Sequence, residues 1–134
     1  MPEELKPYFI DFKQIGSDEI GHISVAELEK TIPFPIKRVF WTYGTPETVE
    51  RGNHAHRNNR EVIVAAVGEI TLIAESRNGE KETFVLNNPN QGLYIPPNVW
   101  ITMSYHPGTL QLVINSNEFN EDEYIYSYDD FKGH

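Results

Sequence analysis

Turn signals punctuate this chain so often that they leave room for strands but hardly for helices. Gly16-Ser17-Asp18, Pro33 with Pro35, Gly44-Thr45-Pro46, Gly68-Glu69, Asn78-Gly79, Asn87 to Gly92 and Pro96-Pro97-Asn98 all fall between short runs of β-branched and aromatic residues. The predicted strands are Tyr8 to Phe12, His22 to Val25, Ile36 to Tyr43, Glu61 to Val67, Ile70 to Glu75, Glu82 to Leu86, Leu93 to Ile95, Trp100 to Tyr105 and Leu110 to Asn115. Asn78-Gly79 marks a hairpin, because both central residues of such a turn take positive φ. Ala26 to Lys30 allows at most one helical turn before the two prolines. Many short strands at regular spacing predict an all-β sandwich or barrel, and 134 residues suffice for one core, so a single domain is expected over residues 1–134. In the tail, Tyr124, Tyr126 and Tyr128 sit at strand spacing, with a short helix around Asp122 to Tyr126 as the alternative. The segment from about 119 to 134 is expected to pack outside the barrel.

One stretch asks for a chemical explanation. Arg51-Gly52-Asn53-His54-Ala55-His56 reads as a further strand, and side chains alternate faces along a strand, so His54 and His56 point the same way. Ala55 is small enough to face a packed neighbour. Histidine fills strands poorly, but it moves protons or binds metals near neutral pH better than any other side chain.

The spacing His-x-His, four residues, Glu61, six residues, Gly68 is the first signature of the cupin β-barrels. A metal cupin would use His54, His56 and Glu61 as ligands and leave positions open for substrate. A metal-free cupin would use one or both imidazoles as acid and base. Metal cupins usually add a third histidine after a proline-rich turn, and Ile101 occupies that place in Pro96-Pro97-Asn98-Val99-Trp100-Ile101. The two-histidine, one-carboxylate set stays possible.

Charge and cysteine content exclude several classes. A net charge of −9, with 11 Lys and Arg against 20 Asp and Glu, opposes a nucleic-acid surface, although two or three arginines can still bind a phosphate locally. Without cysteine there is no disulfide framework and no thiolate metal site. No apolar run approaches a membrane span, and Met1 to Lys6 lacks the basic and apolar regions of a signal peptide, so a cytoplasmic location is expected.

Taken together, Ile36 to Phe40, Arg51 to His56, Gln91 to Pro97 with Trp100, and the closing Glu121-Asp122-Glu123-Tyr124-Ile125 and Tyr128-Asp129-Asp130-Phe131 resemble the nucleotide-sugar 3,4-ketoisomerases, the WxcM-like cupins. The likeness runs from about residue 8 to residue 131. It implies a cupin double-stranded β-helix, a jelly-roll barrel, in a homodimer that exchanges N-terminal strands over about residues 8–25. It also implies a dTDP-4-keto-6-deoxyhexose substrate, with the carbonyl moved from C4 to C3 through an enediol and with neither cofactor nor metal. By this resemblance His56 would be the base at C3, and His54 would shuttle protons near C4 and its oxygen. The product would enter deoxysugar and polysaccharide biosynthesis.

The remaining candidates concern substrate binding. Arg51 and Arg38 are the diphosphate candidates, since a guanidinium binds phosphate oxygens in bidentate fashion. Tyr43 and Tyr94 offer phenols, Trp100 and Trp41 offer stacking surfaces, and Glu61 offers a partner that fixes an imidazole tautomer. His22, His106 and His134 lack partners at useful spacing and are expected at the surface. Two positions depart from the family pattern: Ile20 stands where many members have arginine, and Ile101 where many have histidine. These departures keep a catalytically silent sugar-nucleotide-binding cupin open beside the isomerase and the metal-dependent enzyme. A 3,5-epimerase, with a tyrosine acid from Tyr43, Tyr94 or Tyr105, is a further relative.

Overall fold

The computed structural model describes residues 5–133, so His134 and the start of the chain lie outside it. Twelve strands form: β1 (Tyr8–Asp11), β2 (Lys13–Ser17), β3 (Gly21–Val25), β4 (Arg38–Tyr43), β5 (Arg51–His56), β6 (Glu61–Val67), β7 (Ile70–Glu75), β8 (Lys81–Leu86), β9 (Gln91–Ile95), β10 (Trp100–Tyr105), β11 (Leu110–Asn115) and β12 (Tyr124–Ile125). A 3-10 turn at Glu121–Glu123 precedes β12, and one short helix, α1 (Tyr128–Lys132), follows it.

Two five-stranded antiparallel sheets carry the architecture, in the orders β1-β9-β6-β11-β4 and β12-β5-β10-β7-β8. Ile63, Ala65, Leu93, Ile95 and Val113 of the first sheet pack with Leu72, Ile101, Met103 and Tyr105 of the second. β6 is apolar through most of its length because it lies between β9 and β11 and is covered on both faces. Its outer side, Val62 and Val64, packs under Phe12, Ile32 and Phe34.

The jelly-roll barrel expected from the sequence does not form, because neither five-stranded sheet closes on itself among the described residues. The first ends on β1 and β4, the second on β12 and β8. Closure needs an unbroken ladder with matched tilt and stagger, whereas each strand here pairs only within its own sheet. The fold is all-β, with two open sheets facing one another.

Two peripheral segments differ from the sequence reading. β2 and β3 form a separate two-stranded hairpin whose Ile15 and Ile23 are exposed. The tail helix starts later than expected because Ser127 caps it, its side chain accepting from the Asp130 N–H, and Gly133 ends it in the left-handed region. Phe131 of this helix is buried with Trp100, Ala55 and Ile125, so the tail covers the outer face of the second sheet.

Candidate active site

β5 owes its aim to a glycine. Gly52 has φ 87°, and a Cβ built there would lie 2.7 Å from the Ile101 carbonyl oxygen of β10. Opposite it the β5–β10 register shifts between Ile101 and Thr102, as at a β-bulge. The turned backbone presents the Gly52 carbonyl to its own strand, where His54 Nδ1 donates to it at 3.0 Å. That bond assigns the hydrogen to Nδ1 and leaves Nε2 as a lone pair.

Both histidines lie on one side of β5, and Ala55 is buried on the other, as alternation predicts. Their rings meet edge to face at 5.0 Å. They differ in access. His54 lines a cavity between the sheets together with Arg51, Glu61, Ile101, Tyr105 and Tyr124. His56 lies behind this lining, 3% exposed, with both ring nitrogens sealed and without a well-aligned hydrogen bond. Its Nε2 is nevertheless 3.3 Å from Glu61 Oε2, an ion-pair distance.

The charges follow from burial and contact. Burial, then the charge of His56, lowers the His54 pKa, and Glu61 opposes the shift only in part. Burial alone would push Glu61 up, but the hydrogen-bonding and charge interactions with His56, aided by His54 and Arg38, carry it below the ordinary value. The site therefore holds a neutral imidazole facing the cavity and a carboxylate beneath it. Farther in, Tyr105 donates to Gln111 Oε1 at 2.8 Å and interacts with Arg51, and burial raises its pKa to about 12.

The tail closes one side of this site. β12 pairs with β5 so that Tyr124 lies opposite His56 and Ile125 opposite Ala55. The Tyr124 ring is 4.6 Å from that of His56 and 5.1 Å from that of His54, and it stacks on Tyr126 at 5.4 Å with only 5° between planes. Glu123 fixes the register: its carboxylate accepts from the Asn58 and Asn59 backbone N–H groups at 2.8 Å each and from Asn58 Nδ2 at 3.0 Å. Arg38 acts electrostatically on Tyr124 and lies 5.6 Å from the ring centres of both Phe40 and Phe119.

Of the residues singled out in the sequence, the structure gathers His54, His56, Glu61, Arg51 and Arg38. Four others go elsewhere, among them Trp41, 60% exposed on β4. Tyr43 is on the outer side of β4 and 72% exposed. Tyr94 is fully buried beneath the outer face of the first sheet, where its hydroxyl accepts from Arg60 Nε at 2.9 Å. Trp100 faces α1, against Tyr128 and Phe131, while its neighbour Ile101 faces the cavity. Tyr124 and Gln111 were missed. The strand spacing of the tail tyrosines was visible, but nothing local linked them to the histidines 68 positions upstream. Among the described residues, no group of three or more His, Cys, Asp or Glu side chains is arranged to hold a metal ion, so His54, His56 and Glu61 share a neighbourhood without forming a ligand set.

Known proteins resemble the whole of this arrangement. Residues 5–134 match the FdtA family, described as WxcM-like, C-terminal. The TDP-4-oxo-6-deoxy-alpha-D-glucose-3,4-oxoisomerase of Aneurinibacillus thermoaerophilus is 36% identical over 124 residues, covering 92% of this chain and 88% of that protein. The crystal structure of QdtA, a sugar 3,4-ketoisomerase from Thermoanaerobacterium thermosaccharolyticum in complex with TDP, superimposes with a TM-score of 0.90 at 33% identity, covering 95% of this chain and 92% of that one. A 3,4-ketoisomerase from Helicobacter canadensis gives 0.89 at 32% identity, with 96% of each chain covered. The histidine strand, the tail that covers it and these full-length matches agree: the chain belongs to the WxcM-like family.

Proposed function

We propose that this protein is a nucleotide-sugar 3,4-ketoisomerase that converts a TDP-4-keto-6-deoxyhexose to its 3-keto isomer. The observation that carries the mechanism is the neutral, cavity-facing His54 with its Nε2 lone pair free and the Glu61 carboxylate behind it. Nε2 takes the proton from C3, and the C–H electron pair becomes the C3–C4 double bond of an enediol. The imidazolium so formed is stabilised by Glu61 and returns its proton to C4. Base and acid are then one residue, and turnover leaves it as it began. The resemblance gives the C3 base to His56; its sealed ring supports a different division, with His56 holding Glu61 ionised and His54 touching the sugar. Arg51, exposed at the rim, suits the diphosphate. The cavity between the sheets is about 70 Å³, small beside the roughly 300 Å³ or more of ordinary ligand sites.

An NMR time course with TDP-4-keto-6-deoxyglucose in D2O, with and without EDTA, tests this function. The expected result is a 3-keto product formed at the same rate with chelator, with ring deuterium only in the fraction of turnovers in which the His54 proton exchanges with solvent before its return. TDP-sugar binding without exchange or product would overturn the enzyme. The pH profile tests the base. A base must be neutral to act, and the His54 pKa lies below 6.5, so kcat/KM should hold steady from pH 8 down past 6.5 and fall only at lower pH. Glu61→Gln removes a charge that raises the His54 pKa, and should move this acid limb to still lower pH.

The protein works as a homodimer in this reading. Val39, Trp41 and Tyr43 form an exposed apolar row on β4, an edge strand, and the β2–β3 hairpin exposes Ile15 and Ile23. A second copy covers both surfaces at once, which agrees with exchanged N-terminal strands. Light scattering should give twice the chain mass for the wild type, and Trp41→Glu combined with Ile23→Glu should shift it to the monomer mass. An unchanged mass for the variant would remove these residues from the interface.

A further inference from the structure

The turn that joins β5 to β6 crosses from the second sheet to the first, and only residues 57–60 separate His56 from Glu61. Asn59, 1% exposed in this turn, uses both ends of its side-chain amide. Its Oδ1 accepts from the Asn117 backbone N–H at 3.0 Å, and its Nδ2 donates to Asn115 Oδ1 at 2.9 Å. A backbone N–H can only donate, so the first bond fixes which end of the Asn59 amide faces Asn117, and the second then fixes the amide of Asn115. Asn115 Nδ2 is left to the Arg38 and Val113 carbonyls, at 3.5 and 3.4 Å. This orientation matters because Asn115 and Glu61 are paired in register between β11 and β6, so their side chains share one face of the sheet. Glu61 Oε1 is buried there with no hydrogen-bond partner among the described residues. A donor and an acceptor that suit each other are neighbours, and they are kept apart.

Resting on the isomerase reading above, we propose that Asn59 is a positioning residue, which holds the Asn115 amide turned away from Glu61 and so reserves the carboxylate for the imidazoles. Glu61 meets His56 Nε2 through Oε2 at 3.3 Å and serves the imidazolium that His54 becomes during turnover. A hydrogen bond to an ionised group is among the stronger ones, so a second donor on the carboxylate would draw off part of its charge and weaken that service. Asn59 withholds the donor. An open acceptor in a buried place is ordinarily unfavourable, and it is tolerated here beside a carboxylate whose opposite charge is completed only as the reaction proceeds. The Asn59 backbone N–H is in turn held by Glu123 at 2.8 Å. The tail that covers the histidines therefore also fixes the residue that orders the amides behind them.

Asn59→Ala releases Asn115 to turn its Nδ2 to Glu61 Oε1. We expect kcat to fall about 10-fold, the scale of one hydrogen bond to a charged group, with KM for the TDP-sugar within about twofold of wild type. Adding Asn115→Ala removes the competing donor and should recover most of the lost rate, even though it takes more atoms out of the core. A residue that merely supported the fold would give a double variant slower than the single one. In 15N-labelled Asn59→Ala, the Asn115 side-chain amide protons should move downfield as they meet the carboxylate, a signature that needs no turnover. Asn59→Ser, with a smaller cavity and a hydroxyl left for the Asn117 N–H, gives the same comparison where Asn59→Ala does not fold. Wild-type kcat in the single variant, an unmoved Asn115 amide signal, or a double variant slower than the single would overturn the proposal while wild-type turnover upheld the isomerase. A wild type that fails to isomerise would overturn the functional reading itself, and this proposal with it.

Discussion

The His54→Asn variant is expected to lose isomerisation by about 1,000-fold or more, in the upper part of the range for a general base, while still binding TDP as the wild type does. The base acts on the sugar ring, so the nucleotide should not sense its removal. Steady-state kinetics with TDP-4-keto-6-deoxyglucose and calorimetry with TDP read the two halves separately. A loss of TDP affinity matching the loss of rate would make His54 a binding group. The contrast with His56→Asn is informative. His56 approaches the Glu61 carboxylate with both groups buried, and stranding a buried charge costs about 3 kcal/mol or more. His56→Asn should therefore lower stability together with rate, whereas His54→Asn should melt close to the wild type.

The second large effect is expected at a residue without a side chain. Gly52→Ala places a methyl against the Ile101 carbonyl on a backbone whose φ of 87° already disfavours any L residue. The obstacle is backbone, so the strands must separate rather than a rotamer change. Left-handed strain plus this clash should cost about 2–4 kcal/mol in denaturant unfolding. Activity should fall with it, because the same peptide carries the carbonyl that sets the His54 tautomer. A loss well under 1 kcal/mol would mean that β5 and β10 accommodate the methyl, and that the bulge does not aim His54.

The histidine strand was legible because its chemistry and its period are both local. His54, Ala55 and His56 alternate in a run of six residues, and alternation alone puts the imidazoles together. Phase was harder to read. Trp100 and Ile101 are both apolar and both buried, so nothing in their order says which faces the cavity, and the aromatic residue was chosen when its neighbour was the one inside. Tyr94 failed for the same reason, since the first sheet is covered on both faces and its alternation carries little polarity signal. Tyr43 failed differently: its outward position on an edge strand is what a second copy would hide. Barrel closure lay beyond a pattern of short strands, which fixes that strands exist but not whether the last of each sheet meets a partner. In the tail, the helix limits Ser127 and Gly133 emerge only with the structure, because the five residues between them are too few to show a helical period.

The Glu123 clamp ties the tail to residues 65 positions earlier in the chain. During synthesis the histidine strand, its glutamate and both sheets leave the ribosome before the segment that covers them. Until then β5 presents one bare edge, and the histidines have no aromatic cover. The strands other than β12 are therefore available to pair before the tail is, and catalytic competence should appear as a later event than their pairing. Refolding followed at once by far-UV circular dichroism and by turnover would resolve the two as separate phases, with a Glu123→Ala variant delaying the second and leaving the first unchanged.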